Sequence, residues 1–151
     1  MRVEILSQNK KASRKYEILD RFEAGIVLQG TEVKSVREHK INLEESYARI
    51  KDGELWLENC RISPYSHGNI SNHEPTRPRK LLLHRREIDK LLGKTLKKGY
   101  TVVPVSVYLK EGKVKVEIAL ARGKQIHGRK EDAKKKDLER EVAMELKRRR
   151  Q

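Results

Sequence analysis

Five stretches of the chain are rich in β-branched and aromatic residues, and they predict β-strands. The first runs from Tyr16 to Leu28 and contains Gly25, where a bulge or a barrel corner would need a glycine. The other four form two pairs, 47–51 with 54–58 and 100–109 with 113–122. Asp52-Gly53 favours a two-residue hairpin turn in the first pair, and Glu111-Gly112 separates the second. In the last strand the alternating Val114, Val116, Ile118 and Leu120 predict one buried face and one solvent face.

Two short helices are predicted between these strands. The first runs from a Thr31 cap to about His39, with Val33 and Val36 on one side. The second runs from His84 to Leu92, and Gly93 is placed to end it in the left-handed conformation. The segment from Pro64 to Lys80 holds three of the four prolines and has no periodicity, which predicts a long loop.

Antiparallel strands with short helices at the corners predict a mainly β fold, a small and partly open OB-like antiparallel barrel. This barrel is expected to occupy residues 1–122. Residues 123–151 carry 11 Lys and Arg against 6 Asp and Glu and contain no aromatic residue. Their apolar stripe is narrow, so we expect a basic C-terminal tail that is helical when bound.

The charge of the chain indicates a polyanionic partner. Lys and Arg total 36 against 22 Asp and Glu, a formal net charge of +14. Such an excess increases affinity for RNA or DNA, because bound phosphates release their counterions. The longest mostly apolar run, 100–109, is too short to span a bilayer. The N-terminus lacks the apolar core of a signal peptide, so a cytoplasmic location is expected.

No arrangement of residues in the sequence predicts catalysis, a metal or a cofactor. The five histidines have no metal-ligand spacing and are expected to lie scattered on the surface. Cys60 is the only cysteine and is expected to be a small buried hydrophobe. Glu23 has no placed partner that would make it a general base. The chain is therefore predicted not to be an enzyme.

Several basic clusters together with the net charge favour RNA binding. They are Asn9-Lys10-Lys11, Arg77-Pro78-Arg79-Lys80, Arg85-Arg86 and the tail. Aromatic residues make up only 5% of the chain, which favours folded RNA over extensive base stacking. Two alternatives stay open at this point, an RNA-processing enzyme on the same scaffold and a general single-strand-binding module.

The order of several motifs resembles one family along nearly the whole chain. They are Asn9-Lys10-Lys11-Ala12, Phe22-Glu23-Ala24-Gly25-Ile26, Leu28-Gln29-Gly30-Thr31-Glu32-Val33-Lys34-Ser35, Arg77-Pro78-Arg79-Lys80-Leu81-Leu82-Leu83 and Ala121-Arg122-Gly123-Lys124. This order is similar to that of small protein B, also called SsrA-binding protein. The resemblance implies an OB-type barrel that binds the tRNA-like domain of transfer-messenger RNA at its elbow. The protein would replace the missing anticodon arm while its tail probes the empty mRNA channel of a stalled ribosome.

The resemblance also implies partners and contact residues. Elongation factor Tu and alanyl-tRNA synthetase would act on the same RNA, and the protein itself would be non-enzymatic and monomeric. RNA contacts are expected at Asn9, Glu23 and Leu82, with Lys10, Arg77, Arg79 and Lys80 as basic support. From the sequence alone, Glu23 could equally be an inward-facing carboxylate, and Leu82 first suggests a core residue.

The tail is expected to contact the ribosome through Lys124, His127, Arg129, Lys130 and Leu146. Where many family members have His-Asp-Lys-Arg, this chain has His127-Gly128-Arg129-Lys130, which keeps the imidazole and two positive charges. An apolar pair common in the family aligns with Glu145-Leu146, so only Leu146 keeps the apolar contact.

Overall fold

The computed structural model describes residues 3–66 and 72–123. The elements of this part, in chain order, are β1 (Val3–Gln8), α1 (Lys10–Lys15), β2 (Tyr16–Ile26), α2 (Gly30–Arg37), β3 (Ile41–Asn42), β4 (Tyr47–Lys51), β5 (Glu54–Glu58), β6 (Arg61–Ile62), β7 (Arg79–Leu82), α3 (Arg85–Thr95), β8 (Tyr100–Lys110) and β9 (Lys113–Gly123).

The strands form a closed antiparallel barrel. Its strand order is β8-β4-β5-β7-β2-β9, and β9 pairs back with β8 to complete the circuit. The joint between β4 and β8 is narrow, with the single pair Ala48 and Val102. β1 lies along β8 as an extra strand, and β3 and β6 form a separate two-stranded sheet. The prediction of a small OB-like antiparallel barrel with short helices is confirmed, but the circuit of strands is closed rather than partly open.

The barrel interior is filled by the inward side chains of its strands. Alternating residues of β5 and β9, such as Leu55, Leu57, Val116 and Ile118, are completely buried there. Because side chains alternate between the two faces of a strand, the residues between them point outward. This alternation decides which charged side chains lie on the outside of the barrel.

Both predicted hairpins are confirmed. Asp52 and Gly53 have φ angles of 53° and 76°, and Glu111 and Gly112 have 53° and 76°. β2 is two residues shorter than predicted, and its register shift lies between Ile18 and Asp20 instead of at Gly25. Gly25 is the residue at which β2 pairs with both β9 and β7, so it serves as a barrel corner rather than a bulge.

Helix α1 was not predicted from the sequence. It has six mostly polar residues, and the Asn9 side chain caps it by accepting a hydrogen bond from the N–H of Ala12 at 3.2 Å. Ala12 packs against Val103 and Ala121 in a second, small apolar cluster. Ala121 is buried in this cluster and Ala119 is also completely buried, so the prediction that one face of the last strand lies in solvent is wrong for this half of β9.

The start of α2 differs from its prediction. Gln29 is the N-cap, and its N–H donates to Glu32 Oε1 at 2.7 Å. The Thr31 hydroxyl lies instead 2.9 Å from Nδ1 of His73, whose Nε2 lies 2.9 Å from the carbonyl oxygen of Ile62. The prediction of surface histidines is wrong for His73, because its buried ring uses both nitrogens to join α2 to β6.

Gly93 does not end helix α3. The helix continues through it to Thr95, and the left-handed glycine is Gly99, with φ of 90°. Ile88 and Leu91 face the barrel and are buried. The prediction that Gly93 ends the helix is wrong, because α3 continues for about one more turn after Leu92. The chain then turns at Gly99 and enters β8.

The predicted loop also ends earlier than expected. Arg79 and Lys80 begin β7, which pairs with β5 on one side and β2 on the other. The segment has no local strand periodicity, but it forms a strand because it pairs with a neighbouring strand on each side. Arg79 points inward and Lys80 outward as a result.

A buried carboxylate joins α2 to this segment. Glu32 is completely buried and accepts hydrogen bonds from Arg77 Nη2 at 2.5 Å, from Arg77 Nε at 3.1 Å and from Arg79 Nε. Burial is the largest influence on its pKa and raises it, but the hydrogen bonds of Arg77, Gln29 and Arg79 outweigh burial and hold the Glu32 pKa below its ordinary value. We call Glu32, Arg77 and Arg79 the buried ion network.

Arg79 connects this network to the neighbouring loop and to β6. Its Nη1 donates to the carbonyl oxygen of Cys60 at 2.7 Å, and its Nη2 donates to that of Pro75 at 3.0 Å. Cys60 itself is buried, and burial raises its thiol pKa to about 12. The prediction of a small buried hydrophobe at Cys60 is confirmed.

The two glycines near the end of α3 should respond oppositely to alanine. Neither position has an atom within 4 Å of the added methyl group. Gly93→Ala should raise the free energy of unfolding by about 0.5–1 kcal/mol, because alanine is the better helix former. Gly99→Ala should lower it by about 1 kcal/mol, because of the left-handed backbone. Urea denaturation of both variants checks this, and a destabilised Gly93→Ala would restore Gly93 as the cap.

Glu32→Gln should lower the free energy of unfolding at pH 7 by about 3–5 kcal/mol, since it leaves buried arginine charge without a counter-charge. The Glu32 pKa is lower in the folded state, so its contribution is complete above the unfolded value of about 4.3. This contribution to stability is lost as the pH falls through the folded-state pKa of Glu32, which lies below the unfolded-state pKa.

Urea denaturation from pH 7 to pH 3 tests this, and the difference between wild type and Glu32→Gln should shrink below about pH 4.3. The matched control is Glu54→Gln, which breaks an exposed pair with Lys80 and should change stability by no more than about 1 kcal/mol. Equal effects of the two substitutions would contradict the account.

Candidate nucleic-acid interface

Glu23 lies on the outside of the barrel, in the middle of β2. Its carboxylate accepts hydrogen bonds from the Tyr108 hydroxyl at 2.5 Å and from Lys110 Nζ at 3.2 Å. The hydrogen bond from Tyr108 is the main reason that the Glu23 pKa lies below its ordinary value; burial opposes it, and Lys110 adds to it. Burial and Glu23 raise the Tyr108 pKa. The inward-facing alternative for Glu23 is wrong, and the ionised carboxylate is held in place at the surface.

Leu82 lies near Glu23 because β7 pairs with β2 at Gly25, two residues along β2 from Glu23. Gly25 pairs with Leu82 on β7 and with Lys115 on β9, and an added Cβ at Gly25 would lie 3.4 Å from the Leu82 Cβ. Leu82 is 49% exposed, so it is not a core residue. The Leu82 side chain therefore lies at the surface, next to the position on β2 that is two residues after Glu23.

The structure brings these side chains together on the outward side of β2, β7, β8 and β9, where the Tyr108 ring is itself buried and its hydroxyl reaches Glu23. We define the Glu23 face as Glu23, Leu82, Tyr108, Lys110 and Lys115. Tyr108 and Lys110 lie on β8, opposite Lys115 and Lys113 of β9. A positioned carboxylate, an exposed leucine and neighbouring lysines offer an acceptor, an apolar contact and phosphate partners to one ligand.

Asn9 and Lys10 lie at a different part of the same outer side. The Asn9 side chain is buried, and its Nδ2 donates to the carbonyl oxygens of Leu43 at 3.1 Å and Pro104 at 3.0 Å. With its Oδ1 capping α1, every polar group of this side chain has a partner inside the protein. Lys10 is exposed at the start of α1. Asn9 thereby fixes the helix on which Lys10 is presented.

The predicted basic segment divides between the interior and the surface. Arg79 is completely buried, whereas the Arg77 side chain is 26% exposed and bound to Glu32. Lys80 faces outward and its Nζ lies 3.3 Å from Glu54 Oε1. In this conformation Arg79 has no surface to offer to a phosphate, contrary to its expected role as basic support for RNA.

Sequence reasoning missed Tyr108, Lys110 and Lys115 as members of this surface. The register of the β8–β9 hairpin was the signal that could have identified them. Once Val114 and Val116 are assigned to the core, Lys113 and Lys115 must point outward. Their partners across the hairpin, Lys110 and Tyr108, then share that face.

The tail residues Lys124, His127, Arg129, Lys130 and Leu146 lie outside the described residues. Within residues 3–66 and 72–123, no group of three or more His, Cys, Asp or Glu side chains could hold a metal ion. None of the helices in this part is both long and apolar enough to cross a membrane.

Comparison with known proteins identifies the family. The family model described as SmpB protein matches residues 6–148. The SsrA-binding protein of Desulforudis audaxviator is 56% identical over 136 residues, covering 90% of this chain and 89% of that protein. The SsrA-binding protein of Carboxydothermus hydrogenoformans is 53% identical over 142 residues, covering 94% and 95%.

A solved structure is also similar. A chain of the structure "tmRNA-SmpB: a journey to the center of the bacterial ribosome" has a TM-score of 0.69 and 48% sequence identity, covering 87% of this chain and 93% of that one. These matches extend over the barrel strands, the Glu23 face and, for the family model, most of the tail. The chain therefore belongs to the SmpB protein family.

Proposed function

We propose that this chain binds transfer-messenger RNA, the SsrA RNA, and acts in trans-translation, which rescues stalled bacterial ribosomes. The observation that carries the proposal is the similarity to SsrA-binding proteins over at least 90% of the chain. The similar chain from the tmRNA-SmpB structure supports the same RNA and the ribosome as partners. The net charge of +14 fits an RNA partner.

The Glu23 face is the proposed contact surface for the tRNA-like domain. Its carboxylate accepts from base amino groups or ribose 2′-hydroxyls, and Leu82 packs on a base or sugar. Lys110 and Lys115 neutralise phosphates beside them, and Lys10 and Lys80 extend the contact along the outside of the barrel. Each of these side chains is outward-facing.

Asn9, Arg77 and Arg79 have a supporting role in this proposal. Asn9 positions α1 and thereby Lys10, and Arg79 fixes β7 and thereby Leu82. Arg77 pairs with the buried Glu32 carboxylate. The Arg77 guanidinium is partly exposed, so it is the member of the buried ion network that RNA can reach. Changes at Asn9 and Arg79 would therefore affect RNA binding through the fold.

The chain has two proposed parts, the barrel of residues 1–122 and the tail of residues 123–151. β9 extends to Gly123, one residue beyond the proposed end of the barrel, which supports a boundary close to this position. The barrel docks the tRNA-like domain, and the tail enters the ribosome through Lys124, His127, Arg129, Lys130 and Leu146. The protein does no chemistry and acts in the cytoplasm as a monomer. Elongation factor Tu and alanyl-tRNA synthetase act on the same RNA.

Glu23→Ala should weaken the binding of a transfer-messenger RNA transcript about tenfold or more, since a hydrogen bond to a charged group is worth about 1.5–3 kcal/mol. Thermal stability should change little, because Glu23 is at the surface. The matched control is Glu17→Ala, an exposed carboxylate of the same strand that pairs with Arg122. Gel shifts and thermal melts test both. Tighter RNA binding by Glu23→Ala would mean that the carboxylate only repels phosphate.

Removal of residues 124–151 tests the proposed function and its division between barrel and tail. The truncated protein should bind transfer-messenger RNA nearly as tightly as the full chain, but it should not support tagging of nascent chains on stalled ribosomes. Within the full chain, His127→Ala and Leu146→Ala should each reduce tagging, whereas Gly128→Asp should be tolerated. A truncated protein that tags normally, or that no longer binds the RNA, would refute the division. Equal affinity of the full chain for unstructured RNA would refute the proposed partner.

A further inference from the structure

Trp56 is a large aromatic side chain on the outside of the barrel. It lies in the middle of β5, opposite Arg49 on β4 and Lys80 on β7. It is half-buried and belongs to neither apolar core cluster. An indole that contributes to no core cluster points to a role at the surface.

The indole of Trp56 has an N–H group and a ring face that could bind a ligand, and neither has a partner among the described residues. Its N–H has no hydrogen-bond partner there, and no lysine or arginine of this part lies over its ring. By contrast, Tyr16, Phe22 and Tyr100 each have a cation within about 6 Å of the ring centroid. An open cleft of about 460 Å³ is lined by Trp56 and Pro78, among other residues.

The charges around the cleft select a base over a phosphate. Three cations (Arg49, Lys51, Lys80) and three carboxylates (Asp52, Glu54, Glu58) lie around Trp56, on the outer faces of β4, β5 and β7 and in the β4–β5 turn, so this patch has no net charge. Arg49 is held by Glu58 at 3.0 Å and Lys80 by Glu54 at 3.3 Å. Such pairs present donors and acceptors to the polar edge of a base, and they attract the RNA backbone less than an unpaired lysine does.

The position of Trp56 makes it continuous with the Glu23 face. Trp56 pairs with Lys80, and Leu82, the partner of Gly25, lies two residues farther along the same outward side of β7, so a single strand joins Trp56 to the Glu23 face. Resting on the RNA-binding function proposed above, we propose that Trp56 stacks on one unpaired nucleobase of the bound RNA. The Glu23 face holds the folded RNA, and the cleft receives a base that is splayed out of it.

The chain contains a single tryptophan, so intrinsic fluorescence reports on this site alone. Titration of the full-length protein with a transfer-messenger RNA transcript should quench Trp56 emission in parallel with the gel shift. Trp56→Leu, which keeps an apolar side chain but removes the π-face, should weaken binding about 5- to 150-fold. Trp56→Phe should lose at most about threefold, because the phenyl ring still stacks. The slope of affinity against salt concentration should be the same in all three proteins, since no phosphate contact is removed.

Other outcomes separate this inference from the proposed function. If the wild-type protein binds the RNA without quenching and Trp56→Leu binds equally well, the stacking site is refuted while the RNA-binding function stands. Equal losses in Trp56→Leu and Trp56→Phe, with lowered melting temperatures, would show that the indole only packs. Normal RNA binding by Trp56→Leu with loss of ribosomal tagging would assign this surface to the ribosome instead. No RNA binding by the wild-type protein would refute the proposed function itself.

Discussion

The buried carboxylate of Glu32 is the interaction on which the arrangement of the outer surface depends. Removing one carboxylate and a guanidinium from water costs several kcal/mol per ion, and only close, multiple hydrogen bonds compensate for it. Glu32 receives three of them from Arg77 and Arg79 and a fourth from the N–H of Gln29. The network thus holds the start of α2 against β7. With β7 fixed, strand alternation points the Lys80 and Leu82 side chains outward.

Because of this constraint, the residues of the basic segment 77–80 have different roles in the structure. Arg77, Arg79 and Lys80 look alike in the sequence, yet one is half-buried against Glu32, one is enclosed and one lies on the surface. Strand alternation separates Arg79 from Lys80, and burial then requires a counter-charge for Arg79. A positive cluster in the sequence is therefore partly an internal scaffold, and the lysines of the proposed RNA-contact surface lie mostly on strands farther along the chain.

Local signals predicted the two hairpins and the barrel, because Asp52-Gly53 and Glu111-Gly112 determine their turns within a few residues. Other features depend on tertiary contacts. Helix α1 has one apolar contact residue, Ala12, and shows no periodicity, so only its packing on Val103 and Ala121 explains it. Gly93 lies within α3 because the chain reverses later, at Gly99. At the site, the family resemblance indicated Glu23 and Leu82, but only the strand register showed that they share a face with Lys110 and Lys115.

The central claim is that RNA contacts the outside of the barrel while Arg79 stays inside it. Side-chain NMR of the arginine Nε–H groups, recorded without and with the tRNA-like domain of transfer-messenger RNA, tests this most directly. The Arg79 signal should exchange slowly with water and keep its position when RNA is bound, while backbone signals around Glu23, Lys110 and Lys115 shift. A large shift or loss of the Arg79 signal, with unchanged signals along β2, would contradict the account.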